Sequence, residues 1–185
     1  MYTSCNLQCT QYKYIFIMNI KNETSAGGIV LQKLTTNDPS TKLRVNHRLT
    51  TLWLICQHSY HKGWVFPKGL IGDTVINETM QKAALREVEE EGGVKAKITI
   101  PHPIEVSYSY RWRDSAHGKN DSHEYLVNKK VFYYLMEYIS GGPANHDIEM
   151  IDAKFVSQED VLKYLTYEKD KETFVKILQL YHTME

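Results

Sequence analysis

The stretch Gly72–Val94, GDTVINETMQKAALREVEEEGGV, decides the fold. On a helix with 3.6 residues per turn, Glu87, Glu90 and Glu91 stand at i, i+3 and i+4, so their carboxylates share one face. Like charges at such spacing repel, and a positive partner is therefore expected among them. Mg²⁺ and Mn²⁺ prefer oxygen ligands of this kind, and Arg86, four residues before Glu90, is placed to hold one carboxylate.

The spacing of this stretch resembles the signature of the Nudix hydrolase superfamily. The matching pattern is Gly72, five residues, Glu78, seven residues, Arg86-Glu87-Val88, one residue, Glu90-Glu91, one residue, Gly93-Val94. The resemblance implies an α/β domain, the Nudix-type α/β/α sandwich with a mixed β-sheet. It also implies hydrolysis of a nucleoside diphosphate linked to another moiety, X, with Mg²⁺ or Mn²⁺ as cofactor. The alternative interpretation of the residues themselves is an acidic, solvent-facing helix without a function.

The resemblance also implies a role for each charged residue of the pattern. Glu87, Glu90 and Glu91 are expected to bind the metal, and one of them, or a glutamate elsewhere, is expected to act as general base. Arg86 is expected to orient the cluster. Glu78 is expected to support the cluster through hydrogen bonds without binding the metal itself.

Two glycines compete for the first position of the pattern. Members of the family place this glycine in a Pro-Lys-Gly turn, which here is Pro67-Lys68-Gly69, whereas Gly72 has the expected count to Glu78. A glycine is needed there because the chain turns tightly and, in the family, offers a backbone carbonyl to the metal. Gly69 is expected to be the metal-binding glycine, with Gly72 beside the substrate.

Other candidates lie outside the pattern. Glu149 precedes a predicted strand and is a candidate metal ligand or general base, with Asp147 as its competitor. Lys68 and Lys130 are candidates for contacts with substrate phosphates, although a lysine pair such as Lys129-Lys130 also protects strand edges. The alternating aromatic residues Tyr108 and Tyr110 are candidates for stacking on a base, against the alternative that they only fill the core.

Composition limits the classes of function. The 185 residues suit one domain, predicted at 25–185 after an N-terminal extension, 1–24, whose role is unknown. Lys+Arg and Asp+Glu both total 22, so charge predicts neither a membrane nor a nucleic-acid partner. The resemblance to the family leaves the 5′ end of an RNA as a candidate substrate. Three cysteines and no secretory signal pattern predict a reducing, cytoplasmic location. The predicted partner is a small nucleotide or polyphosphate.

Hydrophobic patterns predict strands mixed with few helices. The predicted strands are 26–31, 51–56, 64–66, 95–100, 105–112, 130–138 and 150–156. Three helices are predicted. The first begins at Asn77 or Thr79 and ends at Gly92-Gly93, and the other two cover 158–165 and 171–182. The segments 35–48 and 113–124 are predicted to connect strands.

The Pro-Lys-Gly turn, the helix and the later strand beginning Lys129-Lys130-Val131 are similar to the branch of the family that acts on diadenosine polyphosphates and related long polyphosphates. A nucleoside triphosphatase that clears damaged nucleotides and a nucleotide-sugar pyrophosphatase are the alternatives among enzymes. A Nudix-shaped module that senses a nucleotide without cutting it is the alternative outside catalysis. All the pattern glutamates are present, which favours an enzyme.

Overall fold

Eight strands form one mixed sheet in the computed structural model, which describes residues 19–34, 50–113 and 124–183. The strands are β1 (Asn19–Leu34), β2 (Thr50–His58), β3 (Trp64–Val65), β4 (Lys68–Leu70), β5 (Val94–Ile98), β6 (Ile104–Arg113), β7 (Glu124–Gly141) and β8 (Met150–Ser157). The helices are α1 (Met80–Gly92), α2 (Gln158–Tyr164) and α3 (Glu168–His182), and a 3₁₀ turn covers Pro143–Asn145.

The long strand β1 organises the sheet. It runs parallel to β7 along Asn19–Leu31 and antiparallel to β2 along Leu31–Leu34. On the edge of β1 opposite β7, Ser25–Gly27 pairs with the short strand β4. This arrangement brings the Pro67-Lys68-Gly69 segment to the middle of the sheet, beside the central strand.

Side chains that alternate along β1 enter two separate cores. Ile29 and Leu31 pack on one face with the residues of α2 and α3, and Ala26 and Val30 pack on the other with α1. The sheet therefore lies between a layer made by α1 and a layer made by α2 and α3. This arrangement confirms the predicted α/β/α sandwich with a mixed sheet.

Helix α1 begins and ends as its sequence predicts. Thr79 is the N-cap, and its side-chain oxygen accepts a hydrogen bond from the Lys82 backbone N–H at 3.3 Å. Gly93 closes the helix in the left-handed conformation, with φ of 68°. Ala83 and Ala84 are buried, and their small side chains let the helix lie close to the sheet.

Two strands are longer than the sequence predicts. β1 begins at Asn19 instead of residue 26, and β7 begins at Glu124 instead of residue 130. The additional residues are mostly polar, so no apolar alternation marks them as strand. They are extended because this part of β1 pairs with the beginning of β7. Residues 1–18, and with them most of the predicted N-terminal extension, lie outside the described residues, as do 35–49 and 114–123, the bulk of the two predicted connections.

Candidate active site

The acidic face of α1 packs against the β4 turn. Gly69 pairs with Ala26 of β1 and lies on the α1 side of the sheet, where a Cβ at position 69 would overlap with the carboxylate of Glu87. Gly72 has a different role: its φ is 80°, and its backbone N–H donates to Glu78 Oε1 at 3.0 Å. Gly69 thus permits close approach to α1, and Gly72 permits the turn that follows.

Arg86 joins three of the four glutamates. Its Nε and Nη2 donate to the two carboxylate oxygens of Glu78, at 3.2 and 2.7 Å. Its Nη1 donates to Glu87 at 2.6 Å and to Glu90 at 2.9 Å. Arg86 therefore makes its bidentate contact with Glu78, and these hydrogen bonds hold the pKa of Glu78 below its usual value. Nη2 also bonds the carbonyl of Leu70, which ties the helix to the β4 turn.

Glu91 faces another partner. Its Oε2 accepts a hydrogen bond from the Lys68 backbone N–H at 2.6 Å, while its side chain is almost fully buried. Burial raises the pKa of Glu91 to about 8, against the lowering effect of Lys68. Burial also raises the pKa of Glu87 to about 7, against the lowering effect of Arg86. Two carboxylates are thus held a turn apart in a site that opposes their ionisation.

The loop before β8 closes the end of α1. The Asp147 backbone N–H donates to the Glu90 carbonyl at 2.8 Å, and the Asp147 carboxylate accepts from the Glu149 N–H at 2.9 Å. The Glu149 side chain is exposed, and its charge contributes to raising the pKa of Glu91, after larger effects from burial and from Glu87. The sequence-predicted candidate Glu149 therefore lies in electrostatic reach of the helix glutamates.

The side chains present suit a hard divalent cation. Glu87 and Glu91 are 6% and 4% exposed, so each loses most of its contact with water, which a bound cation would offset. The absent side chain of Gly69 leaves the β4 backbone open beside the Glu87 carboxylate. Within the described ranges, no three Asp, Glu, His or Cys side chains already meet at one metal-sized point. The reason is local, because Arg86 lies between Glu87 and Glu90 whereas Glu91 turns to Lys68.

On the opposite face of the sheet, Lys68 connects this site to a second polar cluster. A Cβ at Gly27 would touch the Lys68 Cβ, which places the Lys68 side chain on the α3 side. Burial acts to lower the pKa of Lys68 there. The negative charges of Glu91 and Asp170 have the larger combined effect, so the pKa of Lys68 is raised above its usual value. Asp170 is itself 7% exposed and accepts from the Tyr133 hydroxyl at 3.3 Å.

Tyr108 and Tyr110 lie on this same α3 side, with ring centroids 6.2 Å apart. Lys129 is the cross-strand neighbour of Tyr108, and its ammonium pairs with Glu23 at 3.4 Å. Lys130 points to the other face and pairs with Glu105 at 2.9 Å. The structure therefore brings Tyr108 and Tyr110 together with Lys68 and separates Lys130 from them.

Sequence reasoning missed Glu23, Asp170 and His58. Asp170 is buried and Glu23 is partly buried, a signal that becomes visible only when burial is known. His58 ends β2, and its Nδ1 accepts from the Tyr60 N–H at 3.0 Å. Burial lowers the pKa of His58, with Lys68 adding to the effect and Glu149 opposing it, which places this histidine in electrostatic reach of both sequence-predicted candidates. No described helix is long and apolar enough to cross a membrane.

Comparison with other proteins identifies relatives. A protein of Mycobacterium tuberculosis that bears the name mutator protein MutT4 is 26% identical over 158 residues, which cover 83% of this chain and 54% of the relative. The chain thus spans about half the length of that relative.

Solved structures share the fold. A Caenorhabditis elegans Ap4A hydrolase is 20% identical with a TM-score of 0.54, and the match covers 86% of this chain and 97% of that one. A NUDIX family hydrolase of Clostridium perfringens is 16% identical with a TM-score of 0.53, over 88% and 98% of the two chains. These likenesses show that the chain shares the fold of both proteins.

The NUDIX domain family matches residues 43–177, which is most of the chain and includes α1 with all its glutamates. The match confirms the family that the spacing from Gly72 to Val94 indicated. The chain belongs to the NUDIX domain family.

Proposed function

We propose that the protein hydrolyses a diphosphate linkage within a dinucleoside polyphosphate or a related long polyphosphate, with Mg²⁺ or Mn²⁺ as cofactor. The observation that carries the proposal is the pair of buried carboxylates, Glu87 and Glu91, that α1 holds against the Lys68-Gly69 backbone. Two carboxylates with so little water around them are costly to keep charged, and they suit a cation that bridges to phosphate oxygens.

Glu87, Glu90 and Glu91 are the residues that would hold the metal, together with the backbone at Gly69. When bound, the metal neutralises phosphate oxygens and makes a water molecule more acidic. Arg86 keeps Glu87 and Glu90 in place through its Nη1, and Glu78 fixes the guanidinium in turn.

The proton of the attacking water goes to a carboxylate. Glu90 is the most accessible of the three helix glutamates, since its side chain is 43% exposed. Glu149 is the second candidate, because its exposed carboxylate lies in electrostatic reach of Glu91. The leaving phosphate is already a stable anion and needs no acid, so one well-placed base is sufficient.

The substrate side of the site is formed by Lys68, Tyr108 and Tyr110. The Lys68 ammonium is in electrostatic reach of both Glu91 and Tyr108, and it is suited to a phosphate oxygen. The rings beside it are suited to a nucleobase. The Caenorhabditis elegans neighbour that shares this fold is titled an Ap4A hydrolase, which agrees with a substrate of this class.

A second candidate is the removal of damaged nucleoside triphosphates. The Mycobacterium tuberculosis relative bears a mutator name, and its match covers most of this chain. For either substrate class we propose a cytoplasmic location, because the chain has only three cysteines and no pattern that predicts disulfides.

A substrate panel with Mg²⁺ tests the proposal. We expect phosphate-containing products from diadenosine polyphosphates at higher kcat/KM than from nucleoside triphosphates, nucleotide sugars or diphosphoinositol phosphates. Equal or better turnover of damaged triphosphates would favour the second candidate. Turnover of none, with ligand-dependent thermal stabilisation, would identify a sensing module and overturn the proposal.

Glu90→Gln and Glu89→Gln form a matched pair for the metal site. Both residues lie on α1, but Glu89 is exposed and pairs with Lys95 at 3.4 Å. Glu90→Gln is expected to lower kcat by orders of magnitude, whereas Glu89→Gln is expected to keep it. Similar activity in the two variants would remove Glu90 from the proposed mechanism.

A further inference from the structure

The α3-side face of β1, β7 and β6 carries rows of side chains that lead away from Lys68. Cross-strand pairing places Glu23, Lys129 and Tyr108 in one row. The next row outward contains Lys21, Val127 and Tyr110, and the one after it contains Asn19, Tyr125 and Trp112. These rows are built by the polar halves of β1 and β7 that extend beyond the predicted strands.

The outer rows line a pocket of about 540 Å³. Its walls are Lys21, Glu23, Tyr110, Trp112, Tyr125 and Val127. Three aromatic rings with one ammonium and one carboxylate suit a flat heteroaromatic ring, which stacks on the rings and exchanges hydrogen bonds with the charged pair. Trp112 is 44% exposed although it is large and aromatic, and its ring contacts Tyr60 at 5.9 Å between centroids.

The pocket is separated from the diphosphate site by a definite length. Glu23 and Lys21 are four and six residues from Gly27, beside which Lys68 lies. At about 3.3 Å per residue along a strand, the pocket lies roughly 13 to 20 Å from that point. A ligand ring that reaches the pocket is therefore joined to the cleaved diphosphate by a long linker.

Positive charge follows the same path. The Lys129 ammonium lies between Lys68 and Lys21, and Glu23 bridges Lys129 and Lys21 at 3.4 and 2.9 Å. The side chains of Lys129 and Glu23 are 16% and 11% exposed, so the row is largely withdrawn from water. Lys21 and Lys129 against Glu23 leave one net positive charge between the diphosphate site and the pocket, which suits a linker made of phosphates.

We propose that this pocket binds the second nucleobase of a dinucleoside polyphosphate, while its phosphate chain runs along Lys129 toward Lys68. The inference rests on the proposed function and makes it more specific. It assigns to Trp112 and Tyr125, the two rings of the outermost row, the selection of substrates with two bases over substrates with one.

The test compares diadenosine tetraphosphate with adenosine 5′-tetraphosphate, which carries the same four phosphates and a single base. Trp112→Ala is expected to raise KM about tenfold for the two-base compound, because one base–ring stack is lost, and to leave the one-base compound unchanged. Trp112→Phe is expected to keep the KM for the two-base compound close to the wild-type value, because phenylalanine still supplies a ring for stacking. Tyr164→Ala serves as the control, since Tyr164 is a half-exposed ring on α2 outside the pocket.

Equal KM changes for both compounds, or no change for either, would overturn the pocket assignment. If the wild-type protein cleaves neither compound, the proposed function fails separately, and calorimetric binding decides the pocket. Tighter binding of diadenosine tetraphosphate that Trp112→Ala abolishes would support it. Equal affinity for the two compounds, or binding that Trp112→Ala leaves intact, would refute it.

Discussion

Gly69 and Glu87 are so close that no side chain fits between them: a Cβ at position 69 would overlap with the Glu87 carboxylate. The contact joins the β4 backbone to the acidic face of α1. It explains why a glycine is needed at this position, three residues before the one that the spacing to Glu78 selects.

Gly69→Ala is therefore predicted to displace the Glu87 carboxylate. A displacement of about 1 Å in a catalytic site lowers activity by roughly 100-fold, and we expect a loss of that order in Mg²⁺-dependent kcat. Gly142→Ala is the control, because its backbone is extended and a Cβ there meets open space. Full activity of Gly69→Ala would show that Glu87 is not a ligand in its present position.

Gly72→Ala is predicted to act on stability. Its φ of 80° strains an alanine by about 1 kcal/mol, whereas nothing lies within 4 Å to clash with the new Cβ. Urea denaturation is expected to show that loss, with kcat reduced much less than in Gly69→Ala. The opposite ranking of the two variants in kcat would assign the metal-side role to Gly72.

The sequence was sufficient for the site on α1 because its residues are close in the chain. Glu78, Arg86 and Glu90 belong to one helix and the turn before it, and helical periodicity alone predicts that Arg86 and Glu90, four residues apart, lie on one face. The cap at Thr79 and the end at Gly93 follow from local preferences of the same kind.

The substrate side depends on pairing between distant strands, which the sequence does not show. Lys129 and Lys130 are neighbours in the chain, but they point to opposite faces of β7. Only the register of β7 against β6 decides that Lys129, not Lys130, joins Tyr108. Asp170 reaches Tyr133 from 37 positions away, and no local pattern marks it.

Arg86→Lys is predicted to weaken the metal site while keeping the charge. A lysine loses the planar pair of donors that binds both oxygens of Glu78, so Glu87 and Glu90 are held less firmly. We expect the Mg²⁺ concentration for half-maximal activity to rise about tenfold, as for other residues that orient metal ligands. An unchanged Mg²⁺ requirement would mean that Glu78 and Arg86 contribute to folding only. Lys95→Arg, a surface change at an exposed ion pair, is the control.

Lys154 is predicted to stabilise the contact of β8 with α2. Its ammonium lies 4.1 Å from the Trp64 ring centroid and 4.0 Å from the Tyr164 ring centroid. Lys154→Met keeps the aliphatic stem but removes both cation–π contacts, and we expect the free energy of unfolding to fall by about 1 kcal/mol. Lys169→Met, which removes only an exposed ion pair with Glu172, is expected to change it less. Equal losses in the two variants would contradict the role assigned to the rings.

His61 is predicted to make stability depend on pH. Burial, His58 and Lys68 lower the pKa of His61 to about 4, and its Nδ1 accepts from the Gly63 N–H at 3.1 Å. The Tyr167 hydroxyl contacts the same nitrogen. The His58 ring stacks on the His61 ring, with the two centroids 4.2 Å apart.

Because the folded pKa of His61 lies below the unfolded value of about 6.5, the unfolded chain binds the extra proton first. The stability that His61 contributes is therefore complete above pH 6.5 and falls as the pH drops toward 4. Urea denaturation across this range is expected to show a shallower decline for His61→Asn than for the wild-type protein. His102→Asn, at an exposed position before β6, is expected to keep the wild-type slope. If His61→Asn also keeps it, the histidine is protonated equally in both states and the stacked pair with His58 has no influence on its charge.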